Sequence, residues 1–220
     1  MGIKAGPKIV KDGLVFGVDV AVQRSYSGTG LTANGLVSGI GGTLVNGVGF
    51  SSLNGGFFSF DGTNDYINFG TLIANTTGSA TVSCWIKTTM TSQGMPLSVN
   101  AYGVIYINRF TTSGYILPFF DGTTGNNTSA DISTISVNDG LWHMITGTNN
   151  GTVTSIYIDG QFNKSFNETY AASTDIYNSI GGQLSLNFFA GSISQAHIYN
   201  RALTAQEILQ NYNATKGRYR

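Results

Sequence analysis

The amino-acid sequence predicts an all-β sandwich of two antiparallel sheets, with one short helix near its C-terminus. Composition is the first reason, since 30 of the 220 residues are glycine, 3 are proline and only 10% are charged, against about 25% in an average globular chain. Turn signals are the second reason. Asp-Gly and Asn-Gly dipeptides, which tolerate the positive φ of tight hairpins, recur at residues 12, 34, 46, 61, 121, 139, 150 and 159.

The candidate strands are the short apolar or alternating runs between these turns. In chain order they are residues 14–19, 60–67, 81–87, 104–107, 141–144, 152–158 and 193–199. Shorter runs lie between them, and ten to fourteen strands fit this spacing. Cys84 is the only cysteine of the chain, so no intrachain disulfide can form and we interpret it as a small buried hydrophobic residue.

The last candidate strand shows period-2 alternation. Ala196 and Ile198 point to one face, and His197 and Tyr199 point to the other. This pattern is typical of a strand that is covered on at least one side.

A helix is predicted directly after this strand. Thr204 and Glu207 have the spacing of a capping box, and Leu203 and Ile208 occupy the positions of a hydrophobic staple. We expect the helix to end before Gly217 and to pin the chain end against the sheet.

Four segments resemble, in chain order, the laminin-G-like, concanavalin A-like jelly-roll family. They are Phe60–Ile67, Thr81–Lys87, Leu141–Met144 with Ile156–Gly160, and Gly191–Ile208. The resemblance implies a concanavalin A-like jelly-roll sandwich and places Trp85 and Trp142 at core positions. Function does not follow from it, because this fold carries lectins, glycosidases, adhesins and virion proteins.

We predict one domain over residues 1–220, since no linker or internal repeat divides the chain. Within it we distinguish an N-terminal basic arm at 1–11, the sandwich at 12–203, the capping helix at 204–215 and a basic tail at 216–220.

Charge is distributed unevenly along the chain. The two ends carry six cations, whereas residues 12–215 contain five basic and all eleven acidic residues, a net charge of −6. First and last strands pair in the family that the chain resembles, which implies that both ends lie at one edge. They are either solvated tails or a docking surface for an acidic partner such as a particle. The six cations are Lys4, Lys8, Lys11, Lys216, Arg218 and Arg220.

We do not expect an enzyme. Glycosidases of the superfamily carry two glutamates on one strand, because retaining hydrolysis needs an acid and a nucleophile roughly 5 Å apart, but the only glutamates of this chain are Glu168 and Glu207. Asp61, Asp121, Asp139 and Asp159 each precede a glycine, which is typical of turns. Glu207 belongs to the helix cap, and Glu168 has no acidic neighbour in its strand. No catalytic residue is therefore assigned.

The resemblance also implies a calcium site that includes an aspartate of the last strand. Ser194 and Gln195 stand at those positions, so we expect that no cofactor is needed for folding. Asp19, Asn64 and Asp65 remain as oxygen ligands for a weaker calcium site.

Sugar binding is a second functional hypothesis. Tyr102, Tyr106, Asn108, Arg109 and Tyr115 lie on adjacent predicted strands, and aromatic rings and amides are the groups that contact sugars. Parity within one strand places Tyr102, Tyr106 and Asn108 on one face. The other interpretation is that the tyrosines pack in the sandwich.

The N-terminal residues resemble a subgroup of the family that is abundant in tailed bacteriophages. Residues 12–19, 24–30, 42–47 and 54–56 carry this likeness, with departures at Val22 and Ser27. It implies a non-enzymatic virion protein, displayed as capsid decoration or as a head or tail appendage.

Such a module would bind capsid or other virion proteins and would act on the virion surface after assembly in the host cytoplasm. We expect no nucleic-acid partner. We also expect no signal peptide and no membrane segment, because residues 1–8 lack an apolar region and nowhere do eighteen apolar residues run together. The rival hypothesis is a carbohydrate-binding adhesin that recognises host surface glycans.

Overall fold

The protein is a sandwich of two antiparallel sheets with one α-helix. In the computed structural model, residues 7–37, 39–70, 78–99, 103–120, 127–171, 178–183 and 186–219 are described. Hydrophobic residues of the two sheets meet in a central core. The predicted all-β jelly-roll sandwich with a short C-terminal helix is therefore confirmed.

Sheet A has eight strands among the described residues. They are β1 (Leu14–Asp19), β4 (Gly49–Ser51), β5 (Phe57–Asp61), β7 (Ala80–Lys87), β11 (Trp142–Asn149), β12 (Val153–Ile158), β13 (Gln161–Asn167) and β15 (Ala190–Tyr199). Their order is β13-β12-β11-β7-β15-β5-β4, and β1 pairs with the second half of β15. The first and last strands are thus neighbours, as the resemblance implied.

Sheet B has seven strands in the same part of the chain. They are β2 (Thr32–Asn34), β3 (Gly41–Val45), β6 (Tyr66–Asn68), β8 (Gly94–Val99), β9 (Gly103–Ile107), β10 (Ile116–Phe119) and β14 (Asn178–Ile180). Their order is β10-β9-β8-β14-β6-β3-β2. The estimate of ten to fourteen strands was too low, because three-residue strands such as β2 and β14 carry little periodic signal.

The central core lies between the inner faces of the sheets. Alternation places Ala196 and Ile198 of β15 in this core, next to Phe16 and Val18 of β1. Cys84 is also buried there, and burial raises the pKa of its thiol. The thiol therefore stays protonated, as expected of a packing residue.

A second, smaller core covers the outer face of sheet A. Trp85 belongs to this core. The centroid of its ring lies 4.1 Å from that of Tyr219 and 5.6 Å from that of Tyr212. Its indole N–H donates to the Thr215 hydroxyl at 2.9 Å. Trp85 and Trp142 are thus packing residues, but they lie under the helix and the chain end rather than between the sheets.

Helix α1 (Ala205–Thr215) begins where the sequence predicts. The Thr204 hydroxyl accepts the Glu207 backbone N–H at 3.3 Å, and the Glu207 carboxylate accepts the Thr204 N–H at 2.9 Å. Leu203 and Ile208 are both buried in the second core. The capping box is confirmed, and both staple residues are packed as expected.

Glu207 also forms a two-pronged ion pair with Arg201, with distances of 2.6 and 2.9 Å. Hydrogen bonding to Arg201 lowers the pKa of Glu207 to about 2. In the part of the chain that the structure describes, no helix is long and apolar enough to cross a membrane.

Candidate functional site

Alternation along β9 decides which of its side chains leave the central core. Its two isoleucines pack between the sheets, so Val104 and Tyr106 point to the outer face of sheet B. The neighbouring strand β10 places Leu117 opposite Tyr106 and Phe119 opposite Val104. This edge of the outer face is therefore apolar and aromatic.

The same face becomes polar toward β2. Strand register aligns one small polar side chain from each successive strand, about 4.8 Å apart, and these are Ser98, Ser179, Asn68, Thr43 and Thr32. The two serines are buried, whereas the two threonines are exposed. Hydroxyl and amide groups beside aromatic rings match the hydroxyls and ring faces of sugars.

Arg109 lies over the aromatic edge of this face. Its guanidinium carbon is 4.5 Å from the ring centre of Tyr106 and 5.5 Å from that of Phe110. Phe119 meets Tyr106 edge-on at 6.5 Å. We call Tyr106, Arg109, Phe110 and Phe119 the Tyr106 cluster.

The Tyr106 cluster contains a donor that lacks a partner. The Arg109 Nε is buried and forms no hydrogen bond with the residues described here. Burial raises the pKa of Tyr106, and the positive charge of Arg109 opposes that rise. A buried donor without a partner costs about 1 to 3 kcal/mol, so this atom favours an acceptor from a ligand or from water.

Asn108 does not share the outer face with Tyr106, contrary to the parity argument. Strand β9 ends at Ile107, and Asn108 adopts a left-handed conformation with φ of 60°. Its amide donates to the carbonyls of Met90 and Ser92, and its side-chain oxygen accepts the Gly114 N–H at 2.6 Å. Parity applies only within a strand, and this turn directs Asn108 inward.

The other two tyrosines of the sugar hypothesis give less information. The Tyr115 carbonyl accepts the Asn108 backbone N–H at 3.0 Å, which closes the β9–β10 turn. Tyr102 lies outside the described residues.

Asp19, a candidate calcium ligand, is occupied by protein donors. Its carboxylate accepts the Arg218 guanidinium at 2.7 Å, the Gln195 amide at 2.9 Å and the Ala21 N–H at 3.0 Å. Arg218 thus supplies the positive charge that a cation would supply. The hydroxyl of Ser194 donates to the Gly56 carbonyl at 2.7 Å.

Asp65 and Asn64 belong to the turn between β5 and β6. The Asp65 carboxylate accepts the N–H groups of Gly47 and Asp61 at 2.7 and 3.1 Å. The Asn64 carbonyl accepts the amide of Asn46 at 2.5 Å. Within the described ranges, no three His, Cys, Asp or Glu side chains are grouped so that they could hold a metal ion.

Glu168 is buried just beyond β13. Its carboxylate accepts the Phe120 N–H at 3.3 Å and a short hydrogen bond from the Thr154 hydroxyl. Its carbonyl accepts the Asn149 amide at 2.8 Å. These contacts join the end of sheet A to β10 and give Glu168 a structural task.

Two described residues of the basic ends, Lys8 and Lys216, lie beside helix α1. The Lys8 carbonyl accepts the Gln210 amide at 2.7 Å, and the Lys216 ammonium lies 5.1 Å from the Tyr212 ring. Arg218 is paired with Asp19, as described above, while Lys11 is exposed. Lys4 and Arg220 lie outside the described residues.

Two features of the outer faces were not found from the sequence. Phe119 joins the Tyr106 cluster only because of the β9–β10 register, which the intervening turn of 108–115 does not determine. The contact of Arg109 with Tyr106 depends on the inward turn at Asn108. Alternation within 116–119 indicates which of its side chains share a face, but not which residue of 104–107 each one meets.

Residues 61–209 match the Laminin_G_3 family model, described as the concanavalin A-like lectin/glucanases superfamily. The chain belongs to this superfamily. No curated protein matches the chain in sequence.

Solved structures share the fold of this superfamily member at low identity. Trypanosoma rangeli sialidase in complex with sialic acid matches with a TM-score of 0.62 and 14% identity, over 96% of this chain and 34% of the sialidase chain. Our chain therefore spans about a third of that protein.

Two further structures are similar to this superfamily member. Domain 4 of AbnA, a GH43 extracellular arabinanase from Geobacillus stearothermophilus, in complex with arabinotriose, has a TM-score of 0.64 and 13% identity, over 92% of this chain and 100% of that domain. The HCR/D W1238A mutant has a TM-score of 0.61 and 17% identity, over 91% of this chain and 51% of that chain. At these identities the likeness shows the fold alone.

Proposed function

We propose that the protein is a non-enzymatic carbohydrate-binding module whose ligand lies on the outer face of sheet B. The Tyr106 cluster carries this proposal. It combines a half-buried tyrosine ring, on which a sugar ring can stack, with a guanidinium whose Nε has no partner among the described residues. The less buried end of the polar row, at Asn68, Thr43 and Thr32, supplies further hydrogen-bonding groups along the same face.

The compared structures support a sugar as the ligand class. AbnA domain 4 is bound to arabinotriose, and its whole length is matched by this chain. A sandwich of this extent therefore occurs with a bound trisaccharide. The sialidase is bound to sialic acid, an acidic sugar whose carboxylate would suit the Arg109 guanidinium.

The roles of the two glutamates support the absence of hydrolysis. Glycosidases need one carboxyl group as an acid and a second as a base or nucleophile, within roughly 5 to 9.5 Å. Glu207 is held by Arg201 and the helix cap, and Glu168 is held by Thr154 and a backbone N–H.

A glycan array that includes arabinan fragments and sialylated oligosaccharides tests the binding proposal, followed by calorimetric titration of each glycan that binds. We expect Tyr106→Ala to weaken binding by about tenfold, the loss of one aromatic contact. Phe162→Ala is the matched control, because Phe162 is an exposed aromatic residue on β13 of sheet A. Equal affinity of the Tyr106 variant and the wild type would contradict the proposed face.

An assay for newly formed reducing ends tests the non-enzymatic part on the same glycans. We expect no release above background. Release that disappears in Glu168→Gln would show that the buried carboxylate is catalytic.

For the place of display we propose a phage virion, as capsid decoration or as a head or tail appendage. The resemblance of residues 12–30 to phage chains supports this, and so does the position of Lys8 and Lys216 along one helix. On the virion the module would bind host glycans with sheet B. The basic side, which carries Lys8 and Lys216, would face an acidic particle surface.

Immunogold labelling of particles from a culture that produces this chain tests the display. We expect label on particles carrying the wild type and loss of label with Lys8→Glu and Lys216→Glu combined. Lys87→Glu is the control, since Lys87 is exposed at the end of β7 in sheet A. Unlabelled wild-type particles would contradict display, and full labelling of the double variant would exclude the basic side as the docking surface.

A further inference from the structure

A cavity lies on the outer face of sheet A, at its β1 edge. Its volume is about 360 Å³, which falls within the range of small-molecule sites. It is lined by Ile9, Lys11, Leu14, Gly17, Arg24, Leu36, Val37 and His197. This cavity and the Tyr106 cluster lie on different sheets.

The pairing of Gly17 with His197 opens this space. The two residues are directly opposite in the β1–β15 register, and a Cβ atom on Gly17 would lie 3.1 Å from the His197 ring. A larger residue at position 17 would fill the floor of the cavity. The missing side chain of Gly17 thus leaves space beside the imidazole.

The His197 ring is enclosed but has no hydrogen-bond partner among the described residues. The residue is 8% exposed, and no residue that the structure describes forms a hydrogen bond with its ring. Burial lowers the pKa of His197 to about 4; the positive charge of Arg218 acts in the same direction, and Asp19 opposes both. At neutral pH the imidazole is therefore uncharged, with one ring nitrogen available as a donor.

Two cations stand at the rim of the cavity. Lys11 and Arg24 are exposed, and neither forms an ion pair with a described residue. None of the described residues that line the cavity is acidic. The remaining wall is apolar, formed by Ile9, Leu14, Leu36 and Val37.

We infer that this cavity binds a small monocarboxylate with an apolar body, with the carboxylate between Lys11, Arg24 and the His197 ring. Charge complementarity selects an anion, and the apolar wall selects a hydrocarbon or aromatic body. Seven of the eight lining residues precede residue 61, where the match to the family model begins. The site is therefore a feature of this chain's N-terminal part and is independent of the proposed sugar site.

Titration of the full chain with octanoate, followed by NMR of the histidine ring protons, tests the inference. The chain has two histidines, so His143 serves as an internal control. We expect the His197 signals to shift on saturation and its pKa to rise, because a nearby carboxylate stabilises the imidazolium. The His143 signals stay unchanged, and 1-octanol, which lacks the charge, binds more weakly.

Charge variants identify the rim. We expect Lys11→Gln and Arg24→Gln each to weaken octanoate binding by up to about fivefold, the range of one exposed ion pair. Lys8→Gln is the matched control, because Lys8 is exposed in the same segment but does not line the cavity. Val37→Asp, at a position that is 50% exposed, should abolish binding by repulsion without unfolding the chain.

Three results would overturn the inference. These are unchanged His197 signals at millimolar octanoate, equal affinity for 1-octanol, or equal weakening by Lys8→Gln and Lys11→Gln. Each can occur while sugar binding at Tyr106 is retained, so the two proposals fail separately.

Discussion

The outer faces of the two sheets differ in what covers them. The face of sheet A lies beneath helix α1 and residues 216–219, which stack two tyrosines on Trp85. The face of sheet B carries Tyr106 and a polar row, and Arg109 lies over its aromatic edge. The same aromatic residue types are therefore packed under the chain end on one sheet and half-buried at the outer face of the other. Aromatic content alone does not identify a binding face.

The largest effect should come from removing the central ring under the helix. Trp85→Ala deletes two ring contacts and the hydrogen bond to Thr215 at a residue that is 3% exposed, so we expect a loss of about 3 to 5 kcal/mol. Tyr106→Ala should lose less, because its ring is only half-buried. Urea denaturation of both variants measures the difference, and equal losses would remove the distinction between the faces.

The next effect concerns the ion pair that fastens the chain end. Arg218→Ala leaves the Asp19 carboxylate, which is 8% exposed, without its charged partner, and we expect the free energy of unfolding to fall by about 1 to 3 kcal/mol.

Calcium or EDTA should not change the melting temperature of the wild type, since protein donors occupy the Asp19 carboxylate. A fall with EDTA that calcium reverses would show that the candidate ligands Asp19, Asn64 and Asp65 bind an ion.

A smaller loss is expected at the start of the helix that covers sheet A. Thr204→Ala removes the capping side chain and should cost about 1 kcal/mol. Thr43→Ala, at an exposed position on sheet B, is the matched control and should be close to neutral. An unchanged melting temperature for Thr204→Ala would show that the packing of Leu203 and Ile208 in the second core is sufficient without the cap.

More of the outer face of sheet A than of sheet B could be predicted from the sequence, for a physical reason. Its helix depends on local signals, because Thr204 caps a residue only three positions away, so the spacing alone indicates it. The Tyr106 cluster depends on the pairing of β9 with β10 and on the positive φ of Asn108. Neither follows from alternation, which is why Asn108 was placed on the wrong face and Phe119 was missed. The His197 cavity depends on the pairing of Gly17 with His197, which is 180 residues away in the sequence. No local sequence pattern indicates this pairing.

The smallest effects concern the pH dependence of stability. The two histidines should change the free energy of unfolding in opposite directions as the pH rises. Hydrogen bonding to Asp159 at 2.8 Å, supported by Asp139, raises the pKa of His143 above its ordinary 6.5. The contribution of His143 to the free energy of unfolding is complete below pH 6.5. It is lost as the pH rises through the folded-state pKa of His143. His197, lowered to about 4 by burial, contributes above pH 6.5 and loses that contribution as the pH falls toward 4.

Urea midpoints measured across pH separate these contributions. His143→Gln should remove part of the loss on the alkaline side, and His197→Leu should remove part of the loss on the acidic side. Profiles parallel to the wild type in both variants would show that neither histidine couples to folding.

Amide chemical-shift mapping with a glycan that binds tests the central claim most directly, because it reports both outer faces in one measurement. We predict that the perturbed amides cluster on β9 and β10 around Val104, Tyr106 and Phe119, while those of helix α1 and of β1 stay unchanged. Perturbations confined to α1 or to the His197 cavity would contradict the assignment of sheet B as the carbohydrate-binding face.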